Sequence, residues 1–237
     1  GALVDYHARA AIAATVDVIL SRSITGNSIG AKLTIPQGTL FTDSSGNSWL
    51  SARDVIWYSN VTTCKVPIIQ HERYTASALN NMVIPTGDRV ILNLGTLPNG
   101  KYYEQGSMSL QIGGETWVLV DTFAKSKPTD KHFMVSVDES LSPYIMFGDG
   151  TFGKKPAAGA KITNVVFYLT NGTQGNVKSN TITSVPSVIS SSITDATVSN
   201  AYDAGGGSNY ENFTMLKEHI PLSVKTLGVA ITKEDFE

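Results

Sequence analysis

Four histidines, His7, His71, His132 and His219, are the side chains best suited to acid–base or metal chemistry near neutral pH. None has a second histidine, a cysteine or an acid at the spacing of a zinc site. His71-Glu72 opens like a metalloprotease helix, but Thr75 stands where the second histidine would be needed. Asp121 and Asp138 could be imagined as paired carboxylates, yet nothing in the sequence sets them face to face. Asp149, between Gly148 and Gly150, lacks the regularly spaced oxygen ligands of a calcium loop. An aspartate there is expected to bond its own backbone. Ala204-Gly205-Gly206-Gly207-Ser208 lacks the lysine of a phosphate-cradling loop. Trp49, Trp57 and Trp117 could line a sugar groove, although such residues more often anchor a core or an interface. Cys64 cannot pair internally and reads as a small buried hydrophobe. The sequence therefore predicts no catalytic residue, no metal and no cofactor.

What remains is architecture. The 237 residues carry 41% hydrophobic and only 16% charged side chains, enough for one large β domain or two small ones. A net charge of −2 argues against a nucleic-acid partner, which needs a basic face. No run of about 18 apolar residues offers a membrane-spanning helix. From Ala13 to Leu20, polar Thr15 and Asp17 alternate with Val16, Val18 and Leu20, the period of a strand. Further strands are expected at 31–35, 39–42, 49–50, 55–58, 62–69, 89–94, 132–137, 144–147 and 161–169. Asp43-Ser44-Ser45-Gly46-Asn47 reads as a turn. Gly113-Gly114 between two strand-like runs signals a hairpin. From Thr181 to Val198 the sequence fits either strand or an extended arm.

Two glycine-rich stretches punctuate this pattern. In 147–160, Gly148, Asp149, Gly150, Gly153, Pro156 and Gly159 predict a shaped, rigid loop. Gly205, Gly206 and Gly207 predict a flexible hinge. Beyond it, Ser208 and Glu211 offer a capping box, and Tyr210, Phe213, Leu216 and Ile220 recur at helical spacing before Pro221. That stripe is the candidate for packing on a neighbouring subunit, a further domain or this chain's own core. The expected fold is mainly β: antiparallel sandwich- or barrel-like modules followed by a short helical segment. Residues 1–70 would form the first part of a core module and 71–146 an inserted, hairpin-rich module. Residues 147–203 would return to the core, and 204–237 would hold the hinge and the start of a helical region. A second capping box, Thr232 to Asp235, lies so near the last residue that the chain is expected to be a segment of a longer protein.

Several separated segments, in order, resemble the baseplate wedge (baseplate J-like) family of contractile phage tails. Thr34 to Phe41 looks like its T-I-P-x-G-T-x-F turn, and Asp54-Val55 match the stretch that follows. Gly114, Trp117 and Val120 match a hairpin of the family. Phe147 to Ala160 is similar to F-G-D-G-x-x-G-x-x-P-x-x-G-A, and Thr170 to Asn176 to T-N-G-x-x-G-N. Gly205 to Gly207 and Thr226 to Phe236 resemble its closing segment, although Phe236 replaces the usual tyrosine and no arginine precedes Val229-Ala230. The resemblance implies a structural protein and not an enzyme, placed in the tail baseplate of a virion and assembled in the host cytoplasm. It implies association with itself, as a dimer within a six-fold ring, and with other wedge proteins. No nucleic acid, membrane or small-molecule substrate would be involved. A carbohydrate-binding or adhesin-like β module is the alternative.

Overall fold

The computed structural model describes residues 10–23, 32–76, 79–87, 90–138 and 141–210. They are mainly β, arranged in curled, barrel-like sheets.

The first sheet is built from both ends of the described chain. Its strands are β1 (Thr15–Ser21), β3 (Leu40–Asp43), β4 (Ser48–Ser51), β6 (Thr63–Ile69), β15 (Ile182–Ser184) and β16 (Thr197–Ser199), in the order β15-β3-β4-β6-β1-β16. A separate ribbon of β2 (Lys32–Ile35) and β5 (Val55–Tyr58) lends Ile35 and Trp57 to the same core. Alternation sets the faces: Val18 and Leu20 of β1 are fully buried, while Asp17 points outward and meets Lys65 at 2.7 Å. Trp49, Phe41, Leu20 and Ile68 fill the core, and a short helix, α1 (Ser187–Ser190), caps it with Ile189. The curl closes where the two edge strands meet. The buried Asn200 accepts from the backbone N–H of Thr181 (3.0 Å) and Ile182 (2.9 Å) and donates to the carbonyls of Lys178 and Tyr202. One amide side chain thus replaces a missing backbone ladder across that seam.

The second sheet runs β7 (Glu72–Thr75), β14 (Ile162–Thr170), β10 (Ser109–Ile112), β11 (Glu115–Leu119), β12 (His132–Val137), β13 (Pro143–Phe147) and β8 (Ile91–Asn93), with β9 (Tyr102–Tyr103) also on β14. The β10–β11 hairpin turns at Gly113 and Gly114, both at positive φ (59° and 81°), which glycine accepts at low cost. Phe167, Phe133, Ile145 and Leu110 make its core, with Trp117 edge-on to Phe147 at 5.4 Å.

The mainly β, barrel-like fold is as expected, with one departure in pairing: β11 and β12 run parallel, because the long connection after Leu119 lets the chain cross back before resuming. The inserted module also does not end near residue 146. Strand β14 hydrogen-bonds to β7, β10 and β9, and Ile162, Val165, Phe167 and Leu169 belong to the second core. The return to the first module falls at Asn171. The helical segment expected after Ser208 lies outside the described residues, except for its first positions.

Candidate functional site

The chain leaves the first module at Ile69-Gln70-His71 and comes back at Thr170-Asn171-Gly172. These two crossings touch. Gln70 is fully buried, and its Oε1 accepts from Asn171 N (2.6 Å) and Thr170 Oγ1 (3.1 Å). Its own N–H bonds the carbonyl of Ala14. From Asn171 a line of polar side chains runs in both directions. Its Nδ2 donates to Asn47 Oδ1 (2.7 Å), and Asn47 Nδ2 donates to Asp43 Oδ2 (3.0 Å). Asp43 also accepts from Trp49 Nε1 (3.1 Å) and from the backbone of Ser45 and Asn47. Burial by itself would raise the Asp43 carboxyl, but the donors from Asn47, Trp49 and Ser45 outweigh it and hold it below its ordinary 3.8. On the other side, Asn171 Oδ1 accepts from Lys101 Nζ (2.6 Å), which lies 3.0 Å from Glu72. This line joins Trp49 in one core to the rim of the other.

A strap closes over the crossing. Residues around the three glycines pair with the start of the first sheet: Thr15 exchanges two backbone hydrogen bonds with Gly205, and Ile12 does so with Ser208. Asn176 grips Gly207 by donating to its carbonyl (2.9 Å) and accepting from its N–H (2.8 Å). Asn209 Oδ1 accepts from Thr173 N and Oγ1. A Cβ on Gly207 would lie 2.4 Å from the carbonyl oxygen of Gly172, so the strap needs glycine there for close approach. The predicted flexible hinge is therefore corrected. A sequence of three glycines reads as flexible because it has no side chains to pack, but here the backbone itself is paired. Of the predicted apolar stripe, Tyr210 is half-buried, and burial, then neighbouring Tyr144, push its phenol above the ordinary value. Phe213, Leu216 and Ile220 lie outside the described residues.

The second glycine-rich stretch is a tight loop. Asp149 Oδ1 accepts from Thr151 N (2.8 Å) and Phe152 N (2.9 Å), and Gly150 N bonds Gly153 O. Gly148 lies so close to the Gly153 backbone that a Cβ there would sit 2.3 Å from its carbonyl carbon. Pro156 is buried, and Gly159 N donates to Ile84 O. The loop lifts Phe152 into solvent, 54% exposed.

Between the modules runs a groove of about 430 Å³ lined by Gln37, Leu50, Ser51, Ile69, His71 and Tyr168. His71 and Tyr168 stack at 4.8 Å, and His71 Nε2 pairs with Glu104. A second histidine contact, Ser126 Oγ to His132 Nδ1 at 2.8 Å, lies in a tight turn with Ser126 buried. Asp138 accepts from the backbone N–H of Ser142 (2.9 Å). Among the described residues no group of three or more histidine, cysteine or acidic side chains could hold a metal ion. Cys64 is buried, and burial pushes its thiol up. The three tryptophans are core residues, at 0%, 0% and 4% exposure.

The sequence did not single out Gln70 and Lys101, and it named Asn47 only within a turn and Glu72 only beside His71, not as parts of the crossing. Their partners lie up to 124 positions away, beyond the reach of any local pattern. The chain matches no protein-family model, and no curated protein matches it significantly.

Proposed function

We propose that this chain is a structural component of a contractile-tail baseplate wedge, acting by association with itself and with other wedge proteins in a ring, and not by catalysis. One observation carries the reading. Segments that resemble one family but lie far apart in sequence, 170–176 and 205–207, meet at a single junction through the reciprocal Asn176–Gly207 bonds. Residues selected only for solubility have no reason to combine in this way. A structural part held between neighbours is served by such a junction, because the clamped strap fixes the surface that the first module presents.

The groove beside the stacked His71 and Tyr168 favours a second reading, a carbohydrate-binding module, since an aromatic face is what a sugar ring packs on. Burial of all three tryptophans counts against it.

Immunogold electron microscopy on contractile particles from the source tests the first reading. Label confined to the baseplate end of the tail is the expected result. Label on fibres or cell envelope, with none at the baseplate, would overturn it and promote the glycan-binding reading.

A further inference from the structure

Glu72, Lys101 and Asn171 lie at one end of the second sheet: Glu72 begins β7, Lys101 immediately precedes β9 and Asn171 immediately follows β14. Glu72 opens β7 and stands opposite Leu169 of β14. Tyr102 and Tyr103 of β9 stand opposite Thr170 and Leu169 on the other side. Cross-strand partners project from the same face, and so do residues two apart. Leu169 and Tyr103 are buried in the core, and Glu72, Asn171 and Lys101 meet beside them at the rim of the sheet. The Lys101 amine touches both others, 2.6 Å from Asn171 Oδ1 and 3.0 Å from Glu72 Oε2.

The orientation of the Asn171 amide is fixed by chemistry. Asp43 can only accept, so Asn47 presents its Nδ2 to it. Asn47 Oδ1 must then face a donor, which is Asn171 Nδ2. That leaves the Asn171 carbonyl oxygen accepting from the Lys101 amine, with the Glu72 carboxylate beside the amine. Asn171 is 5% exposed and the Lys101 side chain 20%, so bulk water has little access to the carbonyl.

We propose that Lys101 and Asn171 form an intramolecular isopeptide bond, with Glu72 carrying the proton. Glu72 takes a proton from the Lys101 ammonium, and the freed nitrogen lone pair attacks Asn171 Cγ. The tetrahedral adduct collapses by breaking the Cγ–Nδ2 bond as Glu72 gives back the proton it took, so that the departing nitrogen leaves as ammonia, and the ammonia takes the second proton still carried by the attacking nitrogen. Lysine ammonium and asparagine amide become a secondary amide and one ammonium ion, so atoms and charge balance with no oxidant or co-reactant. Proximity is the main source of rate, because the reacting groups are already in contact in the folded chain. The link would close a loop of 70 positions at the point where the two modules join. The proposal rests on this geometry alone and is independent of the assembly in which the chain acts.

The test is mass spectrometry of the full 237-residue chain, folded and held at neutral pH, followed by proteolysis and fragmentation of the peptides. The expected result is an intact mass lower by one ammonia and a branched peptide joining Lys101 to Asn171. Mass alone is not enough, because Asn171-Gly172 can also lose ammonia by succinimide closure. Fragmentation separates the two. A free Lys101 amine in the folded wild-type chain, or ammonia loss confined to Asn171-Gly172, would overturn the proposal. Glu72→Gln keeps the shape of a half-exposed rim residue, and its fold is checked by circular dichroism. It should remain folded and unlinked, as should Lys101→Arg. A link formed at the wild-type rate in Glu72→Gln would overturn the proton route.

Discussion

Gln70 and Asn171 lie 101 positions apart in the chain, yet Gln70 Oε1 sits 2.6 Å from the backbone nitrogen of Asn171 in a fully buried setting. The contact joins the crossing into the second module to the crossing out of it. Removing the acceptor strands the Asn171 N–H and the Thr170 hydroxyl away from water. Gln70→Ala should cost about 2–3 kcal/mol, the penalty for buried donors left unpaired. Thermal unfolding should show a fall in Tm of roughly 4–12 °C for a chain of this size. An unchanged Tm would mean that water replaces the side chain at the crossing.

Asp43 makes stability depend on pH. Its carboxyl is held below the ordinary 3.8 in the folded chain, with burial opposing and the Asn47, Trp49 and Ser45 donors winning. A depressed pKa adds stability that is complete above the unfolded value and is lost as pH falls through the folded one. Wild type should therefore lose stability as pH drops below about 4. Asp43→Asn should be less stable at pH 7 and show a flatter acid limb. Trp49, which donates to Asp43, reports the transition by fluorescence. Parallel acid limbs in the two proteins would show that other carboxylates dominate.

The glycines of the strap should respond unequally to alanine. Gly205 has open space where its Cβ would go, so Gly205→Ala should change stability by less than about 0.5 kcal/mol. Gly207 meets the Gly172 carbonyl and Ala14, so Gly207→Ala should cost about 1–3 kcal/mol through forced displacement. Chemical denaturation of the two variants distinguishes a paired strap from a free linker. In a free linker both changes would be neutral or mildly stabilising.

Cys64 offers a probe that needs no mutation. It is buried in β6 with its thiol pushed up by that burial. A thiol reagent should label it at least roughly tenfold more slowly in the native protein than in denaturant, because opening must precede attack. Equal rates would place Cys64 at an accessible edge.

The strands were legible where local rules decide. Gly113-Gly114 between alternating runs admits little but a hairpin, and the apolar 161–169 stretch became the nine-residue strand β14. The direction of β12 was not legible, since periodicity fixes faces and says nothing about parallel or antiparallel pairing. The end of the second module was misplaced because the glycine-rich loop at 148–159 looked like a boundary. It folds back on Ile84 and Asp130 instead, within the same module. The crossing was invisible for a different reason. Gln70, Asn47 and Lys101 are unremarkable surface types in sequence, and only their distant partners draw them into the crossing.

The touching of Gln70 and Asn171 also sets an order of folding. The second module holds its own core between Glu72 and Thr170, so it can form without the rest of the chain. Strand β1, by contrast, must find β16, whose partners lie as far apart as Ile19 and Ser199. Closing so long a loop is entropically costly and slow. Once the second module has formed, its two ends are held together, and the loop that the first sheet must close is shortened by the whole of that module. Pulse-labelled hydrogen exchange should show protection in β10, β11 and β14 before β1 and β16. Simultaneous protection in both sheets would mean that the first does not wait for the second.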